Sequence, residues 1–233
     1  MKVCVMTGAG SGIGHSVALL LDKKKQFDVV VMIGRNSEEL KETQNEMSRI
    51  VSDIFECDLS KIEAIPAIIK KIYEKYGRID CLLNIAGYTD PQPLLSTSDQ
   101  NIISTYTVNV FAPIVLMREA VKYMKETGGK ILNVASTAGI TPRPGWLTYA
   151  SSKAAIISAS QTLTEELSEY GILVYCVSPG RCATKLRRRL APNEDQTKIM
   201  QPKEVAKVIC SLLDDGELCL DGQNIIIRKQ IKI

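Results

Sequence analysis

A chain of 233 residues that is 45% hydrophobic and 24% charged has the composition of a globular protein. Its net charge of +3 is too small to argue for nucleic acid or an anionic membrane surface, and its longest apolar runs, VVVMI and VALLL, fall far short of a membrane span. Seven cysteines without a CxxC pair, beside a single histidine, offer no zinc spacing and suit reduced thiols in the cytoplasm, so no metal is expected.

The chain opens on KVCVMT (2–7), a strand-like run too short for a secretory leader. It passes directly into Thr7-Gly8-Ala9-Gly10-Ser11-Gly12-Ile13-Gly14 and then into the helical HSVALLL. His15, at that helix start, reads as a solvated or structural residue rather than a catalytic one. A second strand, DVVVMI (28–33), ends at Gly34 and Arg35. A helix then starts at Asn36 or Ser37 with acids in its first turn. After a third strand (51–57), SKIEAIPAIIKKIYEKYG offers a Ser60/Glu63 capping box, helical spacing and a Gly77 stop. Pro66 inside it interrupts that helix or delays its start. Further strands are predicted at 79–84, 130–136, 172–178 and 223–228, with helices at 99–126, 147–170 and 202–213. Segment 181–201 is polar, basic and poorly periodic. It reads as a long loop, and such loops in compact domains are functional or disordered.

Apolar strands alternating with helices predict an α/β fold. The expectation is a single Rossmann-type doubly wound domain over 1–233, with a parallel sheet of about seven strands and helices on both faces. In such a sheet the glycine turn lies where ligands bind, beyond the strands' carboxyl ends. Exposed N–H groups at the following helix start favour a phosphate there. A site preferring NAD usually ends its second strand on an acid bonded to the ribose 2′-hydroxyl. Here Gly34 stands in that place and Arg35 follows, which favours the 2′-phosphate of NADP(H) over NAD(H).

Reducing a carbonyl needs a proton donor and hydrogen bonds to the developing alkoxide. Tyr149 and Lys153, four apart, share a helix face, and a nearby ammonium lowers a phenol's pKa. Ser136, at a predicted strand end, offers a hydroxyl to the substrate oxygen. The Tyr-x-x-x-Lys spacing arises readily by chance, so its weight comes from Ser136 and the distant glycine turn.

These features together resemble the short-chain dehydrogenase/reductase family in its compact, non-extended branch, over nearly the whole chain. TGAGSGIG is similar to the family's TGxxxGxG turn, Cys57-Asp58-Leu59 to its adenine-contacting Asp, and Asn84-Ile85-Ala86-Gly87 to its NNAG, with Ile85 replacing the second Asn. SPGRCAT resembles the PGxxxT turn. The resemblance implies a catalytic set of Asn109, Ser136, Tyr149 and Lys153. Tyr149 would act as general acid/base. Lys153 would lower its pKa and hold the nicotinamide ribose, Ser136 would steady the oxygen, and Asn109 would support a proton relay through a backbone-held water.

The resemblance also implies cofactor contacts from Gly8, Ser11, Gly12, Ile13, Gly14, Arg35, Asp58, Leu59, Asn84, Ala86, Gly87, Tyr149, Lys153, Pro179, Gly180, Cys182 and Thr184. Substrate-facing loops are expected at 88–96, 137–147 and 181–201. Ser136, Arg143, Trp146 and Tyr149 are substrate candidates, with Trp146 and Leu147 as an apolar wall. Arg143 and the Arg187-Arg188-Arg189 run suit an anionic substrate or, more plainly, a solvated surface. The substrate would be a small carbonyl or alcohol, a 3-oxoacyl thioester, ketone or sugar among them. The enzyme would be a homodimer or homotetramer, with no nucleic-acid or membrane partner. The chain's ending, QIKI, lacks the family's closing glycine pair, which puts C-terminal coverage of the pocket in question. The competing reading is a non-catalytic NADP-binding regulator or sensor on the same fold.

Overall fold

Seven parallel strands form one sheet in the computed structural model, which describes residues 1–229. They are β1 (Val3–Thr7), β2 (Val29–Gly34), β3 (Val51–Glu56), β4 (Cys81–Asn84), β5 (Gly129–Val134), β6 (Ile172–Pro179) and β7 (Asn224–Ile227). Each falls on a predicted strand. The spatial order is β3-β2-β1-β4-β5-β6-β7, so the winding reverses between β1 and β4 and opens a crevice at the carboxyl ends. The QIKI ending lies outside the described residues.

The helices are α1 (Gly12–Lys24), α2 (Ser37–Glu46), α3 (Ile65–Tyr76), α4 (Asp99–Tyr106), α5 (Ala112–Met124), α6 (Leu147–Leu167), α7 (Lys185–Leu190) and α8 (Pro202–Leu212). The strands' two-residue alternation feeds two cores. Cys4 and Met6 of β1 point toward α1 and α8, where Val17, Leu21, Val205 and Ile209 are buried. Val3 and Val5 point the other way, toward Ile69 and Ile72 of α3 and Leu116 of α5. Burial on both faces explains why these strands read as continuous apolar runs. Each fully buried aliphatic side chain contributes roughly 1.5–3 kcal/mol over leaving it in water. Six of the cysteines are buried free thiols, including Cys4, Cys57, Cys81 and Cys176, and Cys219 is exposed.

Four predicted elements differ from what formed. The Ser60/Glu63 capping box does not form. The Asp58 carboxylate accepts from the Ser60 N–H (3.0 Å) and its carbonyl from the Lys61 N–H (2.9 Å), and a 3-10 turn over Ile62–Ala64 precedes α3. Pro66 then stands in the first turn of α3, where its missing N–H costs nothing. The predicted 99–126 helix is broken by a π-helical turn over Thr107–Phe111, followed by Pro113 at the start of α5. The 147–170 helix tightens after Leu167 into a 3-10 turn over Ser168–Tyr170. Segment 181–201 is an ordered strap rather than a bare loop. It carries α7, a parallel bridge from Cys182 to Met200, and Glu194 paired with both Arg181 and Arg187. Isolated periodicity misses such a strap because tertiary ion pairs hold it.

Two predicted ends did form. Asn36 caps α2 by accepting from the Glu39 N–H (3.3 Å), and Gly77 closes α3 in the left-handed region at φ +71°. Among the described residues no helix is long and apolar enough to cross a membrane.

The β1–α1 turn depends on glycine. A Cβ at Gly14 would lie 2.0 Å from the Gly8 carbonyl oxygen, whereas one at Gly216 meets nothing within 4 Å. Gly14→Ala is therefore expected to lower stability by about 1–3 kcal/mol, the usual range for overpacking, or more where the turn cannot shift. Gly216→Ala should stay within about 0.5 kcal/mol of the parent. Urea unfolding of both variants checks this, and equal midpoints would remove the close approach as the reason for this glycine.

Candidate active site

The crevice holds a cavity of about 460 Å³ that runs from the glycine turn to Tyr149. The Thr7 hydroxyl fastens its floor by accepting from the Ile85 (3.1 Å) and Ala86 (3.2 Å) N–H groups, which ties the end of β1 to the NIAG segment. Residues Gly8 through Gly14 line one wall. Ser11 is the N-cap of α1 but makes no side-chain cap bond, so its hydroxyl does not compete for the first-turn N–H groups. A glycine-lined helix N-terminus of this kind fits a pyrophosphate.

Ile33, Gly34, Arg35, Asp58 and Leu59 gather at one end. An acid cannot occupy position 34 without displacing Leu40, because a Cβ there would already lie 3.3 Å from Leu40 Cδ1. Arg35 is exposed at the rim. The Asp58 carboxyl is held below its usual range, first by the Ser60 backbone bond and also by the Arg35 charge.

Ser136, Tyr149 and Lys153 meet at the other end. Ser136 stands two residues past the end of β5 and caps the 3-10 turn over Thr137–Gly139, its Oγ accepting from the Ala138 N–H (3.1 Å). Tyr149 and Lys153 lie one turn apart on α6, with Nζ 5.8 Å from the phenol ring centroid. Lys153 is buried, and its Nζ donates to the Val134 carbonyl (2.8 Å). Burial pushes its pKa down to about 8, slightly opposed by Cys176. Burial pushes the Tyr149 phenol up, against the pull of the Ser136 hydroxyl and the Arg143 charge. At neutral pH this leaves a protonated phenol beside a charged amine.

The residues expected for catalysis and the cofactor all line this cavity except Asn84 and Asn109. Asn84 is buried in the sheet, donating from Nδ2 to Asn133 Oδ1 (2.8 Å). Asn109 sits in the π turn behind the lysine. Its Oδ1 accepts from the Tyr88 N–H (2.8 Å), and its Nδ2 donates to the Tyr88 carbonyl (2.8 Å) and to Ser152 Oγ (3.0 Å). Its amide is thus committed to holding the loop after β4 against α6. Its own carbonyl lacks the usual helical donor four residues on, because that residue is Pro113.

The expected substrate residues separate. Trp146 lines the cavity, edge-on to Tyr149 with ring centroids 5.7 Å apart, whereas Leu147 is 53% exposed and forms no part of the wall. In the basic run, Arg187 pairs with Glu194, Arg188 is exposed, and Arg189 donates to the Thr89 carbonyl (3.1 Å). Thr184 caps α7 through the Arg187 N–H (3.1 Å) while packing against Gly12. His15 is structural, with Nδ1 2.9 Å from Thr43 Oγ1.

Sequence reading missed the Lys185–Glu39 ion pair (2.8 Å), which joins the strap to α2 across the cavity, along with Ser152, Tyr88 and the Val134 carbonyl. Backbone partners and pairs 146 residues apart leave no local pattern.

The family described as short chain dehydrogenase matches residues 2–195. The 3-oxoacyl-(acyl-carrier-protein) reductase of Thermotoga maritima is 32% identical to the chain, over 95% of this chain and 94% of the relative. Among solved structures, an actinorhodin polyketide ketoreductase variant with NADPH superposes with TM-score 0.89 at 25% identity, covering 97% of this chain and 95% of that one. An NAD+-bound xylitol dehydrogenase gives TM-score 0.88 at 25% identity, covering 97% of both chains.

Burying a charged lysine has a pH-dependent cost. Between about pH 8 and Lys153's ordinary value of 10.5, the unfolded chain holds a proton that the folded chain has released, so stability rises with pH across that window. Below it the cost stands in full, and one pKa unit corresponds to about 1.4 kcal/mol. Lys153→Met is expected to be more stable than the parent by about 1–3 kcal/mol at pH 7 and to lose that advantage by pH 10.5. Urea unfolding at both pH values is the check. No gain at pH 7 would mean the amine is not buried as a cation.

Proposed function

The chain belongs to the short-chain dehydrogenase family, and from that premise we propose an NADP(H)-linked oxidoreductase that interconverts a carbonyl and an alcohol. The observation that carries the reading is the meeting of Ser136, Tyr149 and Lys153 at one end of a glycine-walled cavity. The glycine turn with Arg35, Asp58 and Leu59 would hold the adenosine and phosphates. Ala86, Gly87, Pro179, Gly180, Cys182 and Thr184 would flank the nicotinamide, with Asn84 supporting the floor from within the sheet. When bound, the nicotinamide supplies or accepts a hydride.

Tyr149 is the general acid in reduction and the base in oxidation. Its half-buried phenol starts protonated and ready to donate, and Lys153's charge stabilises the phenolate left behind. Ser136 Oγ steadies the substrate oxygen as charge develops on it. Asn109 supports the relay of protons to solvent through its backbone carbonyl, since its side-chain amide is fully engaged. Gly34 and the exposed Arg35 favour NADP(H), in line with the NADPH-bound neighbour and unlike the NAD+-bound one.

The substrate class includes 3-oxoacyl thioesters, small ketones and sugars, and the Thermotoga relative acts on the first by its name. The domain spans the chain, with strap 181–201 over the substrate end. Exposed Ile103, Phe111 and Ile114 on the α4–α5 side support a homodimer or homotetramer. Buried free thiols support the cytoplasm.

Tyr149→Phe should keep the parent's Kd for NADPH and lose about 10²–10⁴-fold in turnover. A screen of NADPH oxidation against ketones, 3-oxoacyl thioesters and sugars reads this, and retained activity removes the tyrosine from its role. Cofactor binding without turnover across that panel would favour a sensor. Arg35→Ala should weaken NADPH by about tenfold, the worth of a charge-assisted contact, and leave NADH unchanged. An equal change for both cofactors in equilibrium titration would overturn the assigned preference.

A further inference from the structure

The cavity wall carries six cationic side chains, and five of them already face a carboxylate or a backbone carbonyl. Arg181 and Arg187 pair with Glu194, and Lys185 pairs with Glu39. Arg35 faces Asp58 at the far end. Lys153 is spent on Val134 and the phenol. Arg143 is the sixth. No carboxylate lies within ion-pair distance of it among the described residues. Its Nη2 makes one long bond to Thr137 Oγ1 (3.3 Å), and its Nε is buried with no hydrogen-bond partner among the described residues.

The guanidinium is also held in place. Arg143 lies between Pro142 and Pro144, and a following proline restricts it to extended backbone. Its carbonyl accepts the Trp146 N–H (3.1 Å), closing a turn that sets Arg143 and Trp146 on the same wall as Tyr149. A restrained, half-exposed guanidinium that no carboxylate answers suits the charge and the planar, two-oxygen face of a carboxylate or phosphate. The acids that line the cavity, Glu39 and Asp58, stand at the glycine-turn end, so none competes at the substrate end.

We propose that Arg143 is the specificity-determining residue of this site, and that the carbonyl substrate carries an anionic group, a carboxylate or a phosphate, which Arg143 binds beside Tyr149. This rests on the oxidoreductase reading above and narrows its substrate class. It also gives Trp146 a part, as the apolar face against which the carbon chain between anion and carbonyl lies.

The test measures NADPH-dependent reduction of 2-, 3- and 4-oxopentanoate against their methyl esters, and of dihydroxyacetone phosphate against dihydroxyacetone. The parent, Arg143→Met and Arg143→Lys are compared. In the parent, at least one anion should exceed its neutral partner in kcat/KM by about tenfold or more. Arg143→Met should erase that preference by raising KM for the anion at least about tenfold more than for its neutral partner. Arg143→Lys should fall between, keeping the charge but not the planar fork. The winning set distinguishes carboxylate from phosphate. Neutral partners reduced as well as the anions would overturn the proposal. So would an equal fall of kcat for both in Arg143→Met with a displaced pH profile, which would make Arg143 a tuner of the phenol.

A binding arm separates this failure from failure of the enzymatic reading. Trp146 is the chain's single tryptophan, so its fluorescence reports titration with the same compounds. A Kd at least about tenfold lower for an anion than for its neutral partner, lost in Arg143→Met, supports the proposal even without turnover. Equal Kd values overturn it.

Discussion

The contact between Gly14 and the Gly8 carbonyl is the constraint on which the rest of the site depends. No side chain fits there, so α1 starts hard against the end of β1. Its first-turn N–H groups then face the point where the sheet reverses its winding. Thr7 carries the same close fit sideways by tying β1 to the segment after β4. The cavity's floor is therefore backbone held by backbone and one hydroxyl. A floor of this kind admits a phosphate without side chains having to move aside.

A second constraint is the cost of placing charge and polarity inside the protein. Lys153, Asn109, Ser152, Asn84 and Asn133 are all buried, and a fully apolar packing would dispense with them. Their hydrogen bonds run from the loop after β4, through the π turn, to α6, which carries the tyrosine. The lysine is the least stable of them, because burial works directly against its charge. That strain is tolerable because the Val134 carbonyl accepts a hydrogen bond from the amine and a β-strand end holds that carbonyl still. Stability is given up where a charge is kept in a dry place.

Much of the fold was legible in the chain. Several strands announced themselves as nearly continuous apolar runs, since a parallel sheet covered on both faces demands apolar side chains on both, whereas the edge strand β3 mixes Ser52, Asp53 and Glu56 into its run. Asn36 and Gly77 marked true helix ends, because a cap and a left-handed stop are local events. Legibility failed where a partner from elsewhere decided. Ser60 had the spacing of a capping box, but the Asp58 carboxylate took its N–H first. The 99–126 helix had unbroken periodicity, yet it widens into a π turn at Asn109, where Pro113 withholds a donor and the loop after β4 claims the amide. The 181–201 strap looked shapeless because Glu194, Arg181 and Arg187 order it, together with Lys185's reach to α2. Leu147 shared the apolar character of Trp146, but the rotation of α6 turned it outward.

By itself, the sequence determined the α/β class, the place of the glycine turn, and the presence of a serine, a tyrosine and a lysine at spacings that suit proton transfer. These follow from side-chain periodicity, from the positions only glycine can take, and from functional-group chemistry, all carried within a few residues of chain. The tertiary structure alone decided which cations remain without an acid, that Asn84 and Asn109 brace the cavity from behind rather than line it, and that burial moves the lysine and the tyrosine in opposite directions. Those outcomes depend on distances between residues far apart in sequence and on how much water is excluded around each, and neither quantity exists until the sheet closes. The isolation of Arg143 is one such outcome. In the sequence it is one arginine among several, and in the fold it is a cation at the Tyr149 end of the cavity that neither a carboxylate nor a backbone carbonyl of the described chain answers.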